Sequence, residues 1–175
     1  MRTSLVVIFT GADRPGIVDL LAGVVAEQEG NWAASRLACL AGRFAGIIEA
    51  TVDPGRADAL VGALLALEAQ GLKISVERGQ PPPPSPPSGT LLWLELIGTD
   101  HPGIVHDVSH VLAERGLNIE ELSTDLDSAP MSGQPMFRAS VQLTVPRGAA
   151  LDELQQALER LADDLMVDIT LDDNA

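Results

Sequence analysis

Gly98-Thr99-Asp100-His101-Pro102-Gly103-Ile104-Val105 follows an apolar run, Leu91 to Ile97, and opens a helical pattern. The same order occurs earlier as Gly11-Ala12-Asp13-Arg14-Pro15-Gly16-Ile17-Val18, after the apolar run Leu5 to Phe9. The offset is 87 residues, and it carries Asn31 onto Asn118. Strand, glycine turn, helix and asparagine therefore appear twice in one order. A repeat at fixed offset marks a structural unit used twice. At 175 residues the chain has room for two such units, each with a modest core. We place them at 1–78 and 90–175, with a linker at 79–89.

Around the first turn, Ser4 to Phe9 reads as a strand. Asp13 is expected to cap the following helix and Pro15 to occupy its first position. Ile17, Leu20, Leu21, Val24 and Val25 follow helical spacing, and Gly30 and Asn31 end the helix. Trp32 to Leu40 and Phe44 to Val52 read as a hairpin about Gly42. Leu60, Leu64 and Leu67 mark a second helix, stopped by Gly71, and Leu72 to Val76 a last strand.

The second copy repeats this order. Leu91 to Ile97 is a strand and His101 to Arg115 a helix. Ile119 to Leu126 is a strand, and 127–134 a loop. Phe137 to Val145 alternates as a strand. Leu151, Leu154, Leu158, Leu161 and Leu165 form a helical stripe, and Val167 to Leu171 a final strand. Both halves read βαββαβ, which predicts an α+β fold of two ferredoxin-like units. Each is an antiparallel four-stranded sheet with helices on one face. The all-apolar first strand predicts that both sheet faces are partly covered, by packing of the two units and by dimer formation. Between the units, six of the twelve prolines lie in 81–87, a run expected to be extended.

Apolar residues make up 46% of the chain and mean hydropathy is +0.17, values of a globular protein. The apolar runs are too short to span a membrane, and no signal peptide is recognisable. A single cysteine, Cys39, has no internal disulfide partner, which suits a reducing cytoplasm. We expect it to be a buried structural thiol.

The net charge of −14 is uneven. Residues 1–80 carry 7 basic and 9 acidic side chains, and residues 81–175 carry 4 and 16. Without a Lys/Arg cluster, direct binding to nucleic acid is disfavoured.

No Ser-His-Asp elbow, P-loop, zinc motif or dinucleotide turn is present, so no enzyme activity and no cofactor is implied. His106 and His110 stand at i, i+4, a spacing that can hold a metal, but without a further ligand set they read as a solvated face.

The repeated turn admits two readings. Its residues can be turn and cap residues only. Alternatively, the glycines admit a ligand, the helix start supplies N–H groups to a carboxylate, and the asparagine donates and accepts. That mixture suits an amino acid.

Gly-x-Asp-x-Pro-Gly-Ile-Val, a helix and then Asn resembles the ligand loop of ACT domains, βαββαβ modules that bind amino acids between domains. The pair with a proline-containing linker resembles the glycine cleavage system transcriptional repressor family. Ser35-Arg36-Leu37-Ala38, Asn118-Ile119 and the run Phe137 to Pro146 carry the likeness further. The resemblance implies a cytoplasmic, glycine-responsive regulator that is a homodimer and acts through a DNA-binding protein. Its alternative is a stand-alone ACT regulatory subunit of an enzyme of amino-acid metabolism. The implied ligand contacts are Gly11, Asp13, Pro15, Gly16, Ile17, Val18 and Asn31, and in the second copy Gly98, Asp100, Pro102, Gly103, Ile104, Val105 and Asn118.

Overall fold

A computed structural model of the chain describes residues 2–79, 89–128, 134–146 and 150–172. It divides into two compact units, Met1–Pro83 and Pro84–Ala175. The first runs β1 (Thr3–Ala12), α1 (Ile17–Glu27), β2 (Asn31–Leu40), β3 (Arg43–Val52), α2 (Ala57–Ala66) and β4 (Lys73–Arg78). A 3-10 turn leads into α2 and another, Leu67–Gln70, follows it. The second runs β5 (Gly89–Thr99), α3 (Ile104–Glu114), β6 (Asn118–Ser128), β7 (Pro135–Pro146), α4 (Leu151–Leu165) and β8 (Val167–Asp172). The fold is α+β. Each unit is one antiparallel sheet, ordered β2-β3-β1-β4 and β6-β7-β5-β8. The order is that of the ferredoxin-like arrangement expected from the βαββαβ pattern.

Period-two alternation sets the core. Leu5, Val7 and Phe9 of β1 and Ile48, Ala50 and Val52 of β3 point to the helical side and are buried. Ile17, Leu21 and Val25 of α1 and Leu60 and Leu64 of α2 meet them. The second core repeats this with Leu92, Leu94, Leu96, Ile104, Val108 and Leu112. Burying one such side chain contributes roughly 1.5–3 kcal/mol. The edge strands β2 and β6 each carry a bulge two residues after the asparagine, between Trp32 and Ala34 and between Ile119 and Glu121. A bulge bends an edge strand and discourages edge pairing.

Within each unit the helices cover one sheet face; in the first unit Ile8 and Ile47 stand exposed on the opposite face. Three expectations need correction. Leu151 heads the stripe of α4 but is exposed, because it is the first helical residue and overhangs the core; Leu154, Ala157 and Leu158 carry the burial. Asp127 and Ser128 are not loop but the end of β6, paired with Met136 and Pro135. Cys39 is exposed, because it ends edge strand β2 beyond the cover of α1. The proline run and the loop residues Pro130 and Gly133 lie outside the described residues. No helix among the described residues is long and apolar enough to cross a membrane.

Candidate functional site

Each turn leaves the end of a central strand and enters a helix. Gly16 and Gly103 are the N-caps, with φ of 92° and 105°, and no side chain caps either helix. The expected cap Asp13 is therefore corrected, and its counterpart Asp100 caps no helix either. The left-handed glycine delays the helix to Ile17 and Ile104, so the aspartates stand one turn too early. Pro15 and Pro102 lie before the cap, outside the helix. The aspartates instead tie the turn to the hairpin by their backbones. Asp13 N–H donates to Gly42 O at 3.0 Å and Asp100 N–H to Pro135 O at 3.1 Å.

An uncapped helix start leaves its first N–H groups without intrahelical partners and carries a partial positive charge. At the first turn these groups open onto a cleft of about 210 Å³ lined by Asp13, Arg14, Gly16, Ile17, Val18, Asp19 and Phe44. That volume is below the roughly 300–1,000 Å³ of sites for drug-sized ligands and suits a small one. The lining offers N–H donors to a carboxylate and two carboxylates to an ammonium group. Beside the second turn lies a different space, a narrow apolar groove between α3 and β6. Ile104, Val105, Val108, Ile119, Leu122 and Phe137 line it, with Ser109 as its polar member, and it holds about 10 Å³.

The glycines divide into two kinds. A side chain at Gly16 would meet nothing within 4 Å, so this glycine serves the left-handed backbone beside open space. Gly11 and Gly98 serve packing. A Cβ at Gly98 would come within 2.9 Å of Val167 Cα, and one at Gly11 within 2.6 Å of Leu72 Cδ2. Gly11 and Gly98 thus hold the strand leading into the turn against the start of β4 and β8.

Asn31 and Asn118 are not near their own turns. Asn31 pairs with Thr51, which pairs with Ser4, whereas Gly11 pairs with Phe44. The same register sets Asn118 level with Leu91, opposite Thr144, and far from Gly98. Seven strand steps separate the two levels, roughly 23 Å. Turn and asparagine therefore occupy opposite ends of each sheet. Asn118 Nδ2 donates to Glu120 Oε1 at 3.0 Å.

One repeated contact escaped the sequence reading. Arg14 donates to Gln70 O at 3.3 Å, and His101 Nε2 lies 3.2 Å from Leu165 O. Both are the residue after the turn aspartate, and both reach the end of the unit's second helical segment, where cations are favoured. The signal was a basic or imidazole residue at the same place in both copies. His106 and His110 stack on exposed α3, their ring centroids 6.1 Å apart, and His110 faces Glu114 at 3.3 Å.

Cys39 stands level with Phe44 and Gly11, at the rim of the cleft. The Asp13 carboxylate accepts from its thiol and pushes its pKa up. Little thiolate is then present at neutral pH, and alkylation should be slow. We expect Asp13→Asn to accelerate iodoacetamide labelling of Cys39 severalfold at pH 7.5. An unchanged rate in the folded variant would remove Asp13 as the cause.

Residues 3–77 match the ACT domain family. Over 167 residues the chain is 27% identical to the glycine cleavage system transcriptional repressor of Escherichia coli K12, covering 92% of this chain and 85% of that protein. A 72-residue stretch is 38% identical to a UPF0237 protein of Methanopyrus kandleri, covering 41% of this chain and 79% of that one. The crystal structure of an unknown protein from Galdieria sulphuraria, 32% identical, superposes with a TM-score of 0.88 over 100% of both chains. The sequence repeat, the shared sheet order and these similarities agree: residues 3–77 are an ACT domain, and the second unit repeats its element order and sheet topology.

Proposed function

We propose that the chain is a non-enzymatic amino-acid sensor that regulates gene expression through a DNA-binding partner protein, with glycine as the leading ligand. The observation that carries this reading is the first turn. An uncapped helix start, two acidic side chains and a cleft of about 210 Å³ meet there on the repeated motif. An α-amino acid complements each part. Its carboxylate takes the N–H groups that follow Gly16, and its ammonium takes Asp13 or Asp19. The similarity to the glycine cleavage repressor supports glycine and supports a role in transcription.

Because Asn31 and Asn118 lie at the far ends of their sheets, an asparagine reaches a turn only from a neighbouring domain. The excess of acidic side chains in 81–175, 16 against 4 basic, repels phosphate backbones, so contact with DNA passes through the partner.

Isothermal titration with the twenty amino acids tests the reading directly. A small amino acid is expected to bind, and Asn31→Ala or Asn118→Ala to weaken it roughly ten- to a hundredfold, the worth of one charge-assisted hydrogen bond. Absence of binding by all twenty, or unchanged affinity in both folded variants, would overturn the site. A mobility-shift assay at moderate salt should show no complex of the protein alone with promoter DNA.

A further inference from the structure

The cleft at the first turn has two kinds of wall. One is polar: the N–H groups that follow Gly16, with Asp13 and Asp19. The other is apolar, made by Ile17, Val18 and Phe44. An α-amino acid held by its carboxylate and its ammonium on the polar wall has one substituent left on its Cα. That substituent is turned to the apolar wall. The three apolar residues therefore decide which side chain fits.

They are not equally able to give way. Val18 is 43% exposed and can turn aside into solvent, whereas Ile17 is 1% exposed and fixed in the core. Phe44 stands between these cases. It lies on β3 opposite Gly11, which offers it no cross-strand side chain. Its ring rests on Phe9, with centroids 5.7 Å apart and planes inclined at 53°. Phe9 is 1% exposed, so close packing backs the ring and stops it from receding. The preceding residue is tied to the turn itself, since Asp13 N–H donates to Gly42 O at 3.0 Å. Phe44 is thus held at a set distance from the groups that anchor the ligand.

The second unit repeats the pairing, with Phe137 opposite Gly98. There the phenylalanine is buried, at 9% exposure, and lines the narrow apolar groove. Phe44 stays partly exposed and lines the cleft that also holds the two carboxylates. An aromatic residue opposite the strand-end glycine is common to both units; only in the first does it bound a site with polar anchors.

We propose that Phe44 is the specificity-determining residue of the first cleft, and that its ring limits the ligand to an amino acid with no side chain or a short one. The proposal rests on the reading of the first turn as an amino-acid site. A misfit of one methylene in an apolar pocket is worth roughly 10–200-fold in discrimination, and a leucine side chain exceeds that of alanine by several carbons.

The test is titration of glycine, alanine and leucine into the full chain as wild type, Phe44→Leu and Phe44→Ala. The wild type should bind glycine or alanine at least about tenfold more tightly than leucine. Phe44→Ala should lower the ratio of the leucine to the glycine dissociation constant by about tenfold, and Phe44→Leu should lower it by less. The ratio is the readout, because a merely structural role for the ring would weaken all three ligands together. Should Phe44→Ala lose its native far-UV spectrum, Phe44→Leu keeps an apolar side chain against Phe9 and carries the test. An unchanged ratio in a folded variant overturns the proposal, and so does a wild type that takes leucine as tightly as glycine. Both outcomes leave the amino-acid site standing. Absence of binding by the wild type, read before any variant is made, overturns the site and this proposal with it.

Discussion

Gly98→Ala is expected to destabilise the second unit by about 2–3 kcal/mol, the upper part of the range for overpacking a close contact. The new Cβ would lie 2.3 Å from Val167 Cγ1, 2.8 Å from Val167 Cβ and 2.9 Å from Val167 Cα. No rotamer change of Val167 relieves the last two, so β5 and β8 must separate. Gly11→Ala is the control. Its nearest neighbour is Leu72 Cδ2 at 2.6 Å, the far end of a flexible side chain, and the first backbone atom is 3.4 Å away. About 1 kcal/mol is expected there. Each unit has its own tryptophan, Trp32 on β2 and Trp93 on β5, so urea unfolding can be followed separately in Trp32→Phe and Trp93→Phe backgrounds. Equal losses for the two glycines would show that backbone contact does not set the difference.

Leu21→Ala should cost more still, about 3–5 kcal/mol. Leu21, on α1, is fully buried in the core that also holds Leu5, Val7 and Leu60, and its truncation leaves a cavity there. With an m-value of about 2 kcal/mol/M, the urea midpoint of the first unit should fall by roughly 1.5–2.5 M. The residue does not line the cleft, yet α1 supplies the N–H groups at its mouth. Binding should therefore decline only where the helix itself begins to open. A midpoint shift below about 0.5 M would mean that the core closes over the missing atoms.

Much of the fold was legible because two independent signals agreed. The 87-residue offset fixed the unit, and the alternation of Leu5, Val7 and Phe9 against the helical spacing of Ile17, Leu21 and Val25 fixed its elements. Local chemistry was less reliable. Asp13 and Pro15 form a good capping pattern on paper, but a left-handed Gly16 moves the helix start past them. Cys39 sits among apolar neighbours in the sequence, while its position at the end of an edge strand decides its exposure. The all-apolar β1 says that both faces avoid charge; it does not say what covers the second face.

The site was legible as a motif and hidden as a geometry. Nothing in the spacing of Gly11 and Asn31 shows that one helix carries the asparagine to the other end of the sheet. That fact follows from register, which only pairing partners such as Ser4, Thr51 and Asn31 reveal. The Arg14 and His101 contacts were invisible for a related reason: their acceptors, Gln70 and Leu165, lie more than fifty residues away in the chain.

The sheet order has a consequence for how such a unit is wired. With β4 antiparallel beside β1, the chain leaves where it entered: Leu5 pairs with Arg78, and Gly79 N–H donates to Ser4 O at 2.8 Å. In the second unit Gly89 begins β5 at the corresponding end, opposite Pro146. All covalent traffic thus uses the asparagine end of each sheet, like two leads on one side of a plug. The glycine-turn end has no chain entering or leaving it. A unit of this kind can be duplicated, or joined to another protein, without cutting through its turn.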